Sequence, residues 1–223
     1  MPKITHIIYD LDGLLLDTET LHAKVNQMVA NRYGKTINPE LKFQLCGRKS
    51  KDSAKLIVET LKLPITVETY LQEKDAIIYQ YYPNVLPLEG AVRLTKHFAA
   101  HQIPQAIATS SSSRPFAAKT APHQDWFSIF QYIIQGDNPE IKQGKPAPDI
   151  FLIAADKLGA KPEQCLVFED SLAGVAAARA AQMSVVAVPA PDMDKQLYFE
   201  ADQVLNSLLE FEPQEWELPP FKL

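Results

Sequence analysis

Four short places in the sequence combine residue types and spacing that could support chemistry. Asp10 and Asp12 lie in Asp10-Leu11-Asp12-Gly13, directly after a short apolar run. If that run is a strand, side-chain period two places both carboxylates on one side, and Gly13 lets the chain turn away without steric cost. Two carboxylates at a strand end suit a nucleophile that also ligates a metal, and a proton shuttle. The same residues would serve as a solvated turn, because Asp and Gly favour turns. A calcium loop is excluded, since Leu14 stands where a third oxygen ligand is needed and no Glu closes the loop.

Thr109-Ser110 closes a second apolar run, where a hydroxyl and the backbone N–H groups of a following helix start could hold an anion's oxygens. An ordinary helix cap in the serine-rich stretch 110–113 would look the same. Lys145-Pro146 places a lysine beside a rigid proline that could open a helix. Such an ammonium could neutralise a carboxylate and an anionic substrate group, or simply face solvent. Glu169-Asp170 follows Leu166-Val167-Phe168. Adjacent acids repel unless a cation sits between them, which points to Mg²⁺ with hard oxygen ligands. Helix capping by Asp170 or Ser171 is the plainer alternative. Taken together, the four places are more informative, because each stands at the end of a candidate strand.

Those strands have to position them. Apolar, β-branched runs at 4–9, 104–108, 131–135, 165–168, 184–188 and, more weakly, 203–205 read as buried strands. Helical periodicity lies between them at 88–100, 147–158 and 172–181. Alternating strands and helices predict a parallel sheet covered on both faces. The stretch from Leu16 to Pro83 breaks the rhythm, with candidate helices at 19–33, 39–45, 50–61 and 67–82 and no buried-strand run. The expected division is therefore a core of 1–15 and 84–223 with an all-helical insert of 16–83. The insert leaves the sheet at the carboxyl end of the first strand, where open parallel sheets bind ligands. The proline- and acid-rich tail, 210–220, reads as an extended segment pinned by Phe211, Trp216 and Phe221, with no chemistry assigned.

Composition narrows the field. The chain has 223 residues, 46% hydrophobic and 22% charged, with net charge -5. An acidic balance argues against a nucleic-acid polymer as partner. The start lacks a basic region followed by a long apolar stretch, so no secretory signal is expected, and no apolar run reaches the ~18 residues of a membrane span. Cys46 and Cys165 are far apart, so neither a disulfide scaffold nor a cysteine zinc site is expected, and a cytoplasmic setting fits. Neither GxGxxG nor GxxxxGK[ST] is present.

In the order DxDG, TS, KP, ED, the motifs resemble those of the haloacid dehalogenase superfamily of phosphotransferases. DLDGLLLDTE, GKPAPDIF and LVFEDSLAGV are similar to its beta-phosphoglucomutase-like branch; LVFED, VLNSL and the tail look more like the GS1-like group, which includes pseudouridine-5'-phosphatase. The resemblance covers essentially the whole chain. It implies an α/β, Rossmann-like parallel-sheet core with an inserted helical cap, acting as a Mg²⁺-dependent phosphatase on a small phosphomonoester such as a nucleotide monophosphate or sugar phosphate. By that resemblance Asp10 is the nucleophile forming an aspartyl-phosphate, and Asp12 is the acid for the leaving alcohol and then the base for water. Asp10, Asp170 and the main-chain carbonyl of Asp12 hold Mg²⁺, with Glu169 contributing nearby. Thr109, Ser110 and Lys145 bind the phosphoryl group. The cap closes over the site, with Glu19, His22, Arg48, Lys49 and Lys51 as its polar grip on the substrate's organic part. A monomer is expected.

The mutase of that branch holds a second phosphate with an arginine and a lysine, at places occupied here by Ser50 and Ser112. Lys49 and Arg114 could partly compensate, and His22 matches the mutase-like pattern. The lost cations favour hydrolysis over mutase activity. A non-catalytic phosphometabolite-binding protein is the third reading, weakened by the presence of Asp10, Asp12 and Lys145.

Overall fold

Strand β1 (His6–Tyr9) lies at the centre of a six-stranded sheet in which every pairing is parallel. The other strands are β2 (Gln105–Ala108), β3 (Tyr132–Ile134), β4 (Cys165–Glu169), β5 (Ser184–Ala187) and β6 (Gln203–Val204), in the order β3-β2-β1-β4-β5-β6. The computed structural model describes residues 3–45 and 50–221. The chain divides into two compact units: one ends at Asp17 and resumes at Leu86, and the other is Thr18–Val85. The junctions fall two residues beyond the expected 15/16 and 83/84. Leu16 bridges both Asp12 and Pro87, and the Asp17 N–H donates to the Leu86 carbonyl, so both connecting segments are tied to the sheet-containing unit.

Parallel strands buried on both faces need continuous apolar sequence. β1, β2, β4 and β5 have it; all five residues of β4 are buried. One face carries Ile8, Ala106, Ala108, Val167 and Val185, packed with Ile150, Phe151 and Ala154 of α8 (Asp149–Leu158) and Val175 and Ala178 of α9 (Leu172–Ala180). Aromatic contacts join Tyr9 to Phe168 and Phe130, and Phe168 to Phe211. The remaining helices of this unit are α5 (Ala91–Ala100), α6 (Ser113–Thr120) and α7 (Gln124–Phe127). Helix α5 begins three residues later than its periodicity suggested, because Glu89 and Gly90 form a turn before it.

The helical unit comprises α1 (Thr18–Arg32), α2 (Pro39–Leu45), α3 (Ser50–Leu61) and α4 (Val67–Tyr81). α1 and α4 pack together around Leu21, Val25, Val29, Tyr70, Ile77 and Ile78. Thr66 caps α4 by accepting from the Thr69 N–H at 3.2 Å. Asn38 does the same for α2 through Leu41 at 2.8 Å.

The tail differs from the extended segment expected. It forms two short 3-10 turns, Leu208–Glu210 and Pro213–Trp216. Phe211 is fully buried against Phe98 and Phe168, the Trp216 indole donates to Gln203, and the Arg93 guanidinium lies over the Phe221 ring. Pro213 opens the second turn with its fixed φ, and the Ser207 side chain caps the first by accepting from the Leu209 N–H.

Candidate active site

Register brings the strand ends level. Tyr9 pairs with Ile107 on one side and Phe168 on the other, so Asp10 emerges beside Ala108 and Glu169. The Asp10 N–H still donates to the Phe168 carbonyl, and the Thr109 N–H to that of Ile134, holding both residues at the carboxyl end of the sheet. β1 ends at Tyr9, so strand alternation does not extend to Asp12. The chain turns at Gly13, whose φ of 85° favours glycine. Asp10 and Asp12 consequently have different partners.

Asp10 belongs to a buried ionic triad. The Lys145 ammonium donates to Asp10 Oδ1 at 2.6 Å, to Glu169 Oε1 at 2.6 Å and to the Ala108 carbonyl at 3.1 Å. Glu169 is 0% exposed, and Asp10 and Lys145 are each 6% exposed. The second oxygen of Glu169 accepts from the Ser171 N–H at 2.9 Å and from the Ser171 hydroxyl at 3.0 Å. Ser171 in turn caps α9 by accepting from the Gly174 N–H. The Glu169 carboxylate lies directly over Gly174, where a Cβ would overlap it. Burial pushes the Asp10 carboxyl up to about 7; Lys145 opposes this, while Glu169 and Asp12 add to it. Burial disfavours the Lys145 charge, but the two carboxylates outweigh it and hold the ammonium above its ordinary range.

Asp12 belongs to a second group. Its Oδ2 accepts from the Thr109 hydroxyl at 3.3 Å and the Ser111 hydroxyl at 2.7 Å, and its Oδ1 accepts from the Lys119 ammonium. Lys119 also donates to Ser111 Oγ at 2.7 Å, and the Ser111 N–H donates to Thr109 Oγ1 at 3.0 Å. Ser110 is exposed, and its backbone packs against Gly136, where a Cβ would overlap it. Asp170 is half-buried, with its carbonyl accepting from the Tyr198 hydroxyl at 2.7 Å.

Of the residues expected from sequence, Asp10, Glu169 and Lys145 are in direct contact, as are Asp12 and Thr109. Asp170 continues the chain from Glu169. Glu19 is exposed and His22 half-buried on α1, and Lys51 is exposed on α3, in the helical unit. Arg48 and Lys49 lie outside the described residues. Sequence reasoning missed Ser111 and Lys119. Lys119 shares the buried face of α6 with Phe116 and Thr120, but a lysine does not register in an apolar pattern, and Ser111 lies in the serine-rich loop before that helix.

A family model described as "Haloacid dehalogenase-like hydrolase" matches residues 7–188. The chain belongs to this family. It is an enzyme of the hydrolase class, with relatives spanning nearly its full length. "(DL)-glycerol-3-phosphatase 2" of Arabidopsis thaliana is 41% identical over 225 residues, covering 99% of this chain and 94% of its own. "Probable pseudouridine-5'-phosphatase" of Drosophila melanogaster is 42% identical over 222 residues, covering 98% and 96%. Among solved structures, a HAD hydrolase, family IA, variant 3 from Entamoeba histolytica is similar with a TM-score of 0.79 at 27% identity, covering 96% of this chain and 97% of that one. A beta-phosphoglucomutase from Clostridium difficile, 23% identical with a TM-score of 0.74, shares the fold; it covers 96% of each chain. Among the described residues, no helix is long and apolar enough to cross a membrane.

Proposed function

We propose that this hydrolase is a Mg²⁺-dependent phosphatase of small phosphomonoesters, working through an aspartyl-phosphate on Asp10. The observation that carries the proposal is the buried triad of Asp10, Lys145 and Glu169, next to a second carboxylate, Asp12, held by hydroxyls and an ammonium. One carboxylate is positioned at the carboxyl end of the central strand by main-chain pairing, and the other is held by the hydroxyls of the loop after β2. That is the equipment for attack on phosphorus and proton transfer to a leaving alcohol.

In the proposed reaction, an Asp10 oxygen bonds to phosphorus while the bond from phosphorus to the ester oxygen breaks. Asp12 gives its proton to the departing alcohol. Asp12 then takes a proton from water as that water attacks the acyl-phosphate phosphorus, and the bond from phosphorus to Asp10 breaks to release phosphate. Lys145 neutralises charge at Asp10 and at the phosphoryl group, and Thr109 and Ser110 bind phosphoryl oxygens. Glu169 anchors Lys145 from beneath.

The donor set suits a hard divalent cation. Asp10, Asp12, Glu169 and Asp170 outnumber the ammoniums of Lys145 and Lys119, and the carboxyl of Asp10 is already raised by burial and like charge. Among the described residues, no three His, Cys, Asp or Glu side chains form a ready metal cage. Mg²⁺ does not need one, since it commonly binds through one or two carboxylates together with waters and substrate phosphate. We assign Asp10, Asp170 and the Asp12 carbonyl as its ligands, with Glu169 nearby. When bound, Mg²⁺ would offset the repulsion between Asp10 and the phosphate dianion.

The relatives named for glycerol-3-phosphate and pseudouridine 5'-phosphate direct the substrate search to polyol and nucleoside monophosphates. The helical unit is proposed as the cap, with Glu19, His22, Arg48 and Lys49 reading the organic part. We propose a monomer in a reducing, cytoplasmic setting, where the buried Cys165 stays a thiol. The test is phosphate release from glycerol phosphates, pseudouridine 5'-phosphate and hexose phosphates, with Mg²⁺ and with EDTA. Metal-dependent release from at least one monoester is expected. Isomerisation primed by a sugar bisphosphate, with no free phosphate, would replace hydrolysis by the mutase reading. A folded protein with neither activity would remove the enzymatic assignment.

A further inference from the structure

We infer that Lys119 is a positioning residue for Asp12, and that it determines whether proton delivery to the leaving group is in register with attack by Asp10. This rests on the phosphatase reading above. Lys119 is 1% exposed, whereas the Asp12 side chain is 24% exposed. The cation therefore lies beneath the carboxylate and reaches the open side of the site through it. Burying an ammonium is costly without partners, and Lys119 has them in Asp12 Oδ1 and Ser111 Oγ.

The geometry is a brace with three points. Lys119 holds Oδ1 of Asp12, while the hydroxyls of Thr109 and Ser111 hold Oδ2 at 3.3 and 2.7 Å. Both oxygens are engaged, so the carboxylate plane is set as well as its position. Lys119 also ties to Ser111, whose N–H bonds Thr109 and whose carbonyl accepts from the Gly136 N–H at 2.9 Å. One ammonium thereby couples the acid–base carboxylate to the loop following β2. Asp10 is set separately by Lys145. Two lysines on different helical or loop segments thus fix the two catalytic carboxylates independently. A charged hydrogen bond fixes direction as well as distance, so loss of Lys119 frees Asp12 to take other rotamers while leaving the Asp10 triad intact.

This assignment has a signature that general loosening of the fold would not give. A poor leaving group such as an alkyl alcohol needs its proton from Asp12. A good one such as p-nitrophenolate departs without it. Release of phosphate from the acyl-phosphate then needs Asp12 again, as base, for either substrate. In Lys119→Met, therefore, p-nitrophenyl phosphate should give a rapid burst of nitrophenolate equal to the enzyme present, followed by slow turnover. Glycerol phosphate, or whichever alkyl monoester the wild type hydrolyses, should show no burst. Its kcat should fall by about a hundredfold or more, the lower range for a lost acid–base contribution, with KM changed much less. Lys119→Arg keeps the charge and several donors and should recover part of the alkyl-ester rate.

The experiment is stopped-flow and steady-state kinetics of wild type, Lys119→Met and Lys119→Arg with both substrates and Mg²⁺. Folding is checked by thermal melting. Equal losses on the two substrates with a diminished burst would overturn the inference, as would wild-type rates in a folded Lys119→Met. If Lys119→Met does not fold, Lys119→Arg decides: a full nitrophenolate burst followed by slowed turnover, with a slowed alkyl ester that shows no burst, supports positioning, and a diminished burst, or wild-type rates on both substrates, refutes it. Failure of the wild type to release phosphate from any monoester would instead remove the phosphatase reading itself.

Discussion

Replacing Lys145 by Met tests the buried triad through stability, without needing a substrate. Met has similar length and no charge. The change removes ion pairs of 2.6 Å to both Asp10 and Glu169, at sites where the carboxylates are 6% and 0% exposed. Solvent screening cannot compensate as it would for a surface pair. Breaking a buried pair by deleting one partner typically costs about 3–5 kcal/mol. For a chain of this size each kcal/mol corresponds to a melting shift of about 2–4 °C, so a fall of roughly 6–20 °C is expected. Glu169 keeps Ser171, which puts more of the cost on Asp10. Asp10 can relieve its charge by binding a proton. Its folded-state pKa, already up to about 7, moves further above the unfolded value of about 3.9. The folded state then binds more protons than the unfolded one across that window, so stability falls as pH rises. Lys145→Met should accordingly be closest to wild type near pH 5 and furthest from it near pH 8. The assay is urea unfolding at several pH values in chelator. Adding Glu169→Gln to Lys145→Met should cost less than the two single changes summed, because one stranded charge disappears. A loss below about 1 kcal/mol at every pH, the range for solvated pairs, would refute the reasoning.

Three further outcomes follow from packing and hydrogen bonding. Gly174→Ala drives a methyl group into the Glu169 carboxylate; overpacking of about 1–3 kcal/mol is expected, with loss of activity as Lys145 is displaced, measured by urea unfolding and phosphate release. Phe211→Ala removes a fully buried ring from between Phe98 and Phe168 and should destabilise by about 3–5 kcal/mol, so an unchanged urea midpoint would show that the tail merely drapes over the sheet. The Asp149 carboxyl is held below its ordinary range by the N–H groups of Gln143 and Lys142. Its contribution is present above the unfolded value of about 3.9 and disappears as pH falls through the lower folded value. The melting temperature of Asp149→Asn should therefore lie below that of wild type at pH 7 and converge with it near pH 2.

The inner strands of the sheet were legible because they are short, largely apolar and buried, leaving little competition from helical periodicity. β4 is the clearest case, with Cys165 to Glu169 all buried. Asp10, Thr109, Glu169 and Asp170 followed because they end or directly follow those strands, whereas Lys145 reaches the site from a loop well beyond β3. The segments that escaped have physical reasons of their own. α6 opens with Ser113-Arg114-Pro115, residues typical of a loop, and its buried face includes a lysine. Apolar periodicity cannot reveal Lys119 as part of a core, since its partner Asp12 lies 107 residues away in sequence. Helix α8 begins at Asp149, two residues beyond the expected start, where the Asp149 carboxylate ties down the preceding loop. Glu169 reads in sequence as one of two adjacent acids awaiting a cation. Its full burial over Gly174, facing Lys145, depends on a helix approach that only the tertiary fold supplies. The tail's aromatic anchors were visible, but its short turns are stabilised by contacts with Phe98, Gln203 and Arg93.

The central claim is that phosphate passes through Asp10. The most direct measurement is to quench the enzyme with acid during turnover of a hydrolysed monoester, reduce it with borohydride and map the peptides by mass spectrometry. An acyl phosphate is reduced to an alcohol, so Asp10 should be recovered in part as homoserine, in proportion to intermediate present, and not in the absence of substrate. Homoserine at another acidic position, or unmodified Asp10 in enzyme trapped under conditions that give a full nitrophenolate burst, would contradict the account.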